Sequence, residues 1–221
     1  KGTESGKGAD AAATDRRRAV EDELRTIAKE YSTYRRVSAE LHWSPEMCRA
    51  PVAPTTLLTS APDSSPHGQK LYFLYARNAG AYGTMSAHGR EERESGREVP
   101  PFVNPVRQSV VKEAFTPVSA EDEIVRYVDL KKQFQANPPG PGTKELERYA
   151  HDSKGGLVRT GDLAALFVML KLEPGTPDTD NGWVYATIAP DLKTITSMGA
   201  IESCMNCHKQ TDRDRLYGDK R

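Results

Sequence analysis

Two cysteines and a histidine stand close together near the carboxyl end of the chain, in the run Cys204-Met205-Asn206-Cys207-His208. In a CxxCH pattern the two thiols form thioether bonds with the two vinyl groups of one porphyrin, and the histidine after the second thiol ligates the iron. The run therefore predicts a covalently attached haem c, held by Cys204 and Cys207, with His208 as the proximal iron ligand.

A CxxC pair also occurs in zinc sites and in thiol-disulfide oxidoreductases. Structural zinc normally needs a second closely spaced ligand pair, whereas the one remaining cysteine, Cys48, stands alone in the sequence. A redox CxxC normally opens a helix near the start of a thioredoxin-like unit rather than near the end of a chain. The sequence therefore favours haem over both alternatives, and Cys48 is interpreted as a small buried hydrophobe or an idle thiol.

The composition is that of a chain that folds around one core. It has 221 residues, of which 37% are hydrophobic, and its 31 basic and 31 acidic side chains cancel. Without a field of one sign, nucleic acid and anionic membranes are not expected as partners, although local patches can dock a redox partner protein. The chain contains no run of 18 apolar residues, so no transmembrane segment is expected.

The predicted cofactor also predicts a location. Covalent haem attachment takes place on the outer side of bacterial cytoplasmic membranes, so we expect a periplasmic or otherwise exported protein. Residues 1–10 are polar and glycine-rich, which is not the pattern of a signal peptide. We therefore expect the export signal to be absent from this chain.

The amino-terminal part predicts a long amphipathic helix from Ala11 to about Leu41. Apolar residues recur there at steps of three and four, which places them on one face of a helix: Val20, Leu24, Ile27, Tyr31, Tyr34, Val37 and Leu41. The run Trp43-Ser44-Pro45 is expected to end the helix, because proline disfavours helical geometry in the residue before it. The apolar face either covers the core or pairs with a second subunit.

The middle of the chain predicts short strands rich in β-branched and aromatic residues. These are Lys70–Arg77, Ser109–Phe115, Ala164–Leu172 and Trp183–Ile188, and the two long stretches His88–Pro101 and Gln135–Gly156 are expected to be loops. The predicted class is therefore α+β, with an antiparallel β-sheet core, a long amino-terminal helix and a carboxyl-terminal haem c motif. Residues 1–45 are expected to form a tail and helix, and residues 46–221 the haem domain of one globular unit.

Several of these runs together resemble a known family. The segments Asn181–Tyr185, Ala189–Asp191 and Ser109–Glu113, taken with the CxxCH run, resemble the cytochrome P-460 family and its relatives, the beta-type cytochromes c′; the resemblance covers roughly residues 66–218. It implies a mainly antiparallel β fold with flanking helices, often a homodimer. It also implies a five-coordinate haem whose open side takes nitric oxide, hydroxylamine or similar small ligands.

The resemblance assigns a candidate role to one lysine. In the hydroxylamine-oxidising members a lysine is covalently joined to the porphyrin, and Lys112 occupies the corresponding strand position. The alternative is an ordinary strand lysine that points to solvent. Because side chains alternate along a strand, Lys112 must face away from Val111 and Glu113. Whether Lys112 is cross-linked to the haem stays open at this point.

The resemblance also bears on the chemistry that is expected at the iron. Those members place an acidic side chain over the iron to accept protons, and Phe167 stands at or next to that position here. Phenylalanine cannot accept a proton, whereas apolar distal residues are typical of the beta-type cytochromes c′, which favour nitric oxide or carbon monoxide. Phe167 is therefore a candidate pocket residue, with ordinary core packing as the alternative. Glu173 would share the face of Phe167 in an unbroken strand, but six residues along a strand correspond to about 20 Å, which is too far to replace the carboxylate.

Two functions remain open. The first is a haem protein with an open iron site that binds or turns over nitric oxide, hydroxylamine or peroxide, with hydroxylamine oxidoreductase-like or peroxidase-like activity unresolved. The second is an electron carrier whose iron takes a second protein ligand, for which the candidates are Met47, Met85, Met169, His42, His67, His88 and His151. We also expect a backbone carbonyl to hold the second ring nitrogen of His208. Asp191, Arg213 and Arg215 either bind haem propionates or are surface charges.

Overall fold

The chain forms one antiparallel sheet with helices on both of its faces. The computed structural model describes residues 4–38, 41–44, 69–95, 101–136, 143–152, 154–211 and 213–217. The helices are α1 (Glu4–Glu30), α2 (Ala79–Ser95), α3 (Ile124–Ala136), α4 (Thr143–Leu146) and α5 (Glu202–His208), with single 3₁₀ turns at Tyr31–Thr33 and Glu121–Glu123. The strands are β1 (Arg35–Arg36), β2 (His42–Trp43), β3 (Leu71–Ala76), β4 (Ser109–Ser119), β5 (Tyr149–His151), β6 (Leu157–Lys171), β7 (Trp183–Ile188) and β8 (Ile195–Gly199).

The strands pair in the order β1-β3-β4-β6-β7-β8, while β2 also pairs with β3 and β5 with β6. Every one of these pairings is antiparallel. The predicted α+β class, the antiparallel sheet and the four predicted strands are confirmed. No helix of the described residues is long and apolar enough to cross a membrane.

The amino-terminal helix is shorter than its apolar pattern predicted. It ends at Glu30 rather than near Leu41, and Arg35 and Arg36 pair with β3. The backbone N–H of Val37 donates to the carbonyl of Leu74 at 2.8 Å. The predicted extension was wrong because these backbone groups find partners on a sheet edge, and tertiary pairing overrides a local periodicity. The predicted terminator at Trp43 lies inside β2.

Both predicted loops contain regular structure. Helix α2 extends to Ser95 and so occupies the first half of the stretch His88–Pro101. The stretch Gln135–Gly156 includes α4 and β5, and β5 pairs with β6. The loop predictions were wrong there because charge-rich and short segments carry weak signals, and their structure depends on the sheet that they contact.

The two faces of the sheet are covered by different parts of the chain. Helix α1 packs on one face through a buried cluster of Leu24, Ile27, Ala28, Tyr31, Val111, Leu166, Val168, Leu170, Val184, Ala186 and Ile188. The opposite face carries a second buried cluster of Ala76, Tyr82, Met85, Val110, Met169, Trp183, Tyr185 and Leu216. The apolar face of α1 therefore serves the core of its own sheet. The second cluster is where α2 and the carboxyl-terminal residues lie, and we call this side the motif face.

Candidate haem attachment site

The CxxCH residues lie on a short helix that directly follows the last strand. Within α5, Cys204, Cys207 and His208 occupy positions three and four residues apart, which places them on one side of the helix. Both cysteines are free thiols, and Cys207 is buried while Cys204 and His208 are partly exposed. Cys204 and Met205 pack against the buried cluster of the motif face. The sheet therefore fixes the position of the helix that carries all three predicted haem-binding residues.

The ring of His208 is held through one of its two nitrogens. Its Nδ1 lies 2.6 Å from the backbone carbonyl oxygen of Arg215. Because a carbonyl only accepts hydrogen bonds, Nδ1 must donate, which leaves the lone pair of the neutral ring on Nε2. The rings of Tyr185 and Tyr217 also pack against the imidazole, with centroids 5.4 and 5.5 Å from that of His208. The carbonyl that the sequence predicted without naming is thus that of Arg215.

The electrostatic surroundings of His208 favour its neutral form. Burial lowers the pKa of His208 below its ordinary value; the hydrogen bond to the Arg215 carbonyl opposes this shift, and the positive charge of Lys112 adds to it. A neutral imidazole is the form that ligates a metal. His208 is therefore kept in the protonation state that iron ligation requires.

Lys112 and Phe167 lie side by side on the motif face. The two residues are direct partners in the β4–β6 pairing. Val110 belongs to the buried cluster of this face, and Lys112, two residues further along β4, points to the same side. The Lys112 Nζ lies 4.3 Å from the ring centroid of Tyr72 and 5.5 Å from that of Phe167. Both predicted residues therefore face the side of the sheet on which the CxxCH helix packs.

The neighbours of Lys112 along β4 point to the opposite face of the sheet. Val111 points into the cluster under α1, and Glu113 accepts a hydrogen bond of 2.7 Å from the Tyr31 hydroxyl on that same side. Lys112 and Phe167 are both partly buried. Lys112 is therefore a lysine whose ammonium lies over two aromatic rings, and Phe167 is only partly covered by its neighbours.

The sequence did not single out the residues that support His208. Asp180 is 5% exposed and binds Arg215 through two contacts, of 2.9 Å to Nε and 3.0 Å to Nη2. It also accepts a hydrogen bond of 3.0 Å from the Tyr185 hydroxyl. Burial raises the pKa of Asp180, but the hydrogen bonds from Arg215 and Tyr185 outweigh it, so the net shift is downward. One buried carboxylate therefore holds two residues that contact His208.

A local signal for Asp180 exists in the sequence. Asp180 and Trp183 exchange backbone hydrogen bonds of 2.9 and 3.0 Å, and the two residues between them, Asn181 and Gly182, both have positive φ. Asn-Gly with this geometry forms the two-residue hairpin turn whose twist matches that of the adjoining strands. At Gly182 a Cβ atom would lie 2.6 Å from the Leu172 carbonyl oxygen. The turn thus places Asp180 opposite Trp183, the first residue of β7.

The candidate propionate-binding residues have other partners. Arg215 is paired with Asp180, as described. Asp191 accepts hydrogen bonds from the Thr194 hydroxyl and from the backbone N–H groups of Thr194 and Lys193, and these contacts lower its pKa to about 2. Arg213 lies in the same carboxyl-terminal segment as Arg215 and is partly buried. The structure thus gives Asp191 and Arg215 local structural roles.

The candidate distal ligands are distributed over the fold. Met169 belongs to the buried cluster of the motif face, and so does Met85, a fully buried residue of α2. His42 packs on Tyr72 with ring centroids 5.5 Å apart, whereas His151 packs on Tyr127 of α3. Three further candidates carry no description of their side chains. Met47 and His67 lie outside the described residues, as does Cys48, and for His88 only the backbone position in α2 is described.

The arrangement fits haem better than it fits the competing uses of a CxxC pair. Burial raises the pKa of the Cys204 thiol, whereas a redox-active cysteine needs a lowered pKa. Within the described part of the chain, no group of three or more His, Cys, Asp or Glu side chains is placed to hold a metal ion directly. Haem attachment does not require such a group, because the thiols of a CxxCH run bond to the vinyl groups at the porphyrin edge and the histidine binds the iron.

The carboxylates of Glu113 and Glu173 lie away from Phe167. Glu113 points to the α1 side of the sheet, and Glu173 lies beyond the end of β6, where its carbonyl closes a turn with Thr176.

Comparisons with known proteins add no further assignment: no protein-family model matches the chain, and no curated protein matches it in sequence.

Proposed function

We propose that this chain is a c-type cytochrome of the kind that the cytochrome P-460 family and the beta-type cytochromes c′ represent. Cys204 and Cys207 would hold one haem, and His208 would ligate its iron. The observation that carries the proposal is the 2.6 Å contact between His208 Nδ1 and the Arg215 carbonyl, because it prepares the histidine of a CxxCH run for ligation through Nε2. When bound, the haem supplies a redox-active iron.

The motif face supplies the surroundings that such a group requires. Tyr72, Phe167 and Tyr185 present aromatic side chains on the face of the sheet that carries the CxxCH helix, and Met169 is buried within the same face. Apolar and aromatic side chains exclude water and control the reduction potential of a bound iron. Lys112 adds one positive charge close enough to lower the pKa of His208. These residues would contact the porphyrin and one another, not bulk solvent.

We propose that the iron is five-coordinate and binds small nitrogenous ligands, with nitric oxide and hydroxylamine as the candidates. Two observations support this choice. Met85 is a fully buried residue of α2 in the cluster of the motif face, and His151 packs on Tyr127, so both have other roles in the fold. Oxidation of hydroxylamine also requires a proton acceptor, and neither Glu113 nor Glu173 lies beside Phe167. Binding rather than turnover is therefore the activity proposed.

An electron carrier is the second candidate because two potential iron ligands lie on the motif face. Met169 is buried there, and His42 packs on Tyr72, whose ring in turn lies under the Lys112 ammonium. Either side chain, if bound to the iron, would close the sixth position. Methionine ligation would also raise the reduction potential.

An optical spectrum of the matured protein separates the two functions. We expect a five-coordinate high-spin ferrous spectrum that changes on addition of nitric oxide, as an open sixth position would produce. A low-spin spectrum that becomes high-spin in His42→Ala or Met169→Leu would instead support the electron carrier. Met85→Leu is the matched control, because it changes another buried methionine on the same face and should leave the spectrum unchanged.

The same sample tests the role of Lys112. A reduced Soret band far to the red would indicate a modified macrocycle, as a bond to Lys112 would produce. Proteolysis followed by mass spectrometry of porphyrin-linked peptides then locates the bond, which intact mass cannot do because the thioethers already retain the cofactor. Lys112→Arg keeps the charge over Tyr72 and Phe167 and serves as the control for a role of the charge alone.

A further inference from the structure

The segment that supplies the carbonyl to His208 has an unusual backbone. Asp214 and Arg215 are consecutive non-glycine residues with positive φ, of 48° and 69°. Left-handed geometry costs roughly 1–2 kcal/mol per residue for an L-amino acid, and only Asn and Asp among side-chain-bearing residues adopt it readily. Arg215 is therefore held in a conformation that its own side chain does not favour.

Two ion pairs hold this strained pair of residues, one for each residue. Asp214 binds the Lys171 ammonium at 2.9 Å, with both side chains almost fully buried. Arg215 binds Asp180 through two nitrogen-oxygen contacts in the planar geometry that guanidinium and carboxylate share. Strain of this kind persists only where the surroundings over-determine the conformation. The Asp180–Arg215 pair is thus the contact that fixes the residue whose carbonyl His208 uses.

Asp180 is also connected to the His208 imidazole through Tyr185. Its Oδ2 accepts a hydrogen bond of 3.0 Å from the Tyr185 hydroxyl, and the Tyr185 ring packs on that of His208 with a centroid separation of 5.4 Å. The carboxylate is therefore connected to the imidazole once through its hydrogen-bond acceptor and once through a packed ring. The Asn-Gly turn in turn fixes the position of Asp180 itself.

We propose that Asp180 is the positioning residue of His208: by clamping Arg215 and Tyr185 it sets the tautomer and orientation of the imidazole that ligates the iron. The proposal rests on the proposed haem function for its effect on iron. Its effect on the imidazole needs no cofactor. A hydrogen bond at Nδ1 makes the other nitrogen a stronger donor to a metal, and loss of such an outer partner typically costs about 10–100-fold in metal affinity.

The test variant is Asp180→Asn, which keeps the shape of the side chain and removes the charge that holds Arg215. In the matured protein we expect the ferrous iron–histidine stretching band to move to lower frequency. We also expect the reduction potential to rise, because a weaker donor stabilises ferric iron less. A tenfold change in the relative affinity for the two oxidation states corresponds to about 59 mV for a one-electron couple.

The chain contains a matched control at a distance from His208. Glu123 also holds one arginine and one tyrosine, since it pairs with Arg159 at 2.8 Å and accepts a hydrogen bond from the Tyr149 hydroxyl. Glu123→Gln therefore removes the same kind of clamp and should leave the stretching band and the potential unchanged. An equal shift in both variants would show a general loss of packing and would overturn the proposal, as would no shift in Asp180→Asn.

A second variant covers the case in which Asp180→Asn does not fold. Arg215→Lys keeps the charge and the backbone but replaces a two-point contact by a single one, so we expect a smaller shift in the same direction. An unchanged band and potential in a folded Arg215→Lys protein would contradict the proposal in that case.

Failure of the proposal can be distinguished from failure of the haem function. If the purified full-length chain carries no haem, the proposed function is wrong, and nitrogen NMR of the His208 ring still reports its tautomer. We then expect the proton on Nδ1 in the wild-type chain and in Glu123→Gln, and a mixture of tautomers in Asp180→Asn and Arg215→Lys. If haem is present and these variants behave as wild type, the positioning role is wrong and the cytochrome assignment stands.

Discussion

Replacing Cys204 and Cys207 together by alanine is expected to abolish covalent haem attachment. Each thiol would supply one thioether bond, and no other side chain in the predicted motif can form one. Denaturation of the matured protein, followed by haem staining and intact mass, measures the retained cofactor. We expect retention to fall from complete in the wild type to none in the double variant, which is the largest functional effect predicted for any change in this chain.

The third cysteine provides the control for this experiment. Cys48→Ala removes a thiol without touching the CxxCH run and should retain the haem in full. Retention of porphyrin in the double variant after denaturation would contradict thioether attachment, and peptide mapping would then show whether Lys112 holds the cofactor instead. A colourless wild-type protein, matured under conditions that support haem attachment, would remove the cytochrome proposal altogether.

The strands could be predicted from the sequence because their signals are local. In Ser109–Phe115 and Trp183–Ile188, β-branched and aromatic residues occur in short runs that turn-forming residues flank. Such runs form strands in any sheet that can bury them. The structure extends β4 to Ser119 and β6 back to Leu157, where register shifts accompany the longer pairing. Strand ends depend on the partner strand, which a single sequence does not show.

The elements that were predicted wrongly depend on distant contacts. Tyr34, Val37 and Leu41 continue the helical spacing of α1, yet the chain leaves the helix at Tyr31 because β3 offers hydrogen-bond partners to the residues that follow. The periodicity itself was informative, since Tyr34 still packs against the cluster under α1. A side-chain pattern reports which residues are buried more directly than it reports the backbone that buries them.

The candidate site likewise contains residues that a local pattern predicted and residues whose roles depend on distant contacts. The roles proposed for Cys204, Cys207 and His208 follow from the chemistry of five consecutive residues, and the alternation along β4 restricted Lys112 to one side of its strand. Asp180 and Tyr185 were missed because their relation to His208 depends on where β7 lies against the carboxyl-terminal segment. The Asn-Gly turn was a usable signal for the position of Asp180. Nothing in the sequence connects Lys171 with Asp214, which are 43 residues apart.

Asp214→Asn is expected to give the largest loss of stability predicted here. The Lys171 ammonium and the Asp214 carboxylate are 1% and 3% exposed; the ammonium also donates to the Asn181 carbonyl at 2.8 Å, and the carboxylate accepts from the Asn104 backbone N–H at 2.9 Å. Asparagine tolerates the positive φ of this position, so the charge is the principal change. Breaking a buried pair by removing one partner costs about 3–5 kcal/mol, to be measured from the midpoint of urea unfolding at constant slope.

Two further variants identify the cause of that loss. Glu145→Ala breaks an ion pair of 2.7 Å with Arg126 whose side chains are more than half exposed, and it should change the free energy of unfolding by less than about 1 kcal/mol. Adding Lys171→Met to Asp214→Asn removes the uncompensated ammonium, so the double variant should be more stable than Asp214→Asn alone. If the double variant is no more stable, the loss does not come from the buried charge. The pair would then act by holding Asp214 beside Arg215, and the same variants would shift the iron–histidine band.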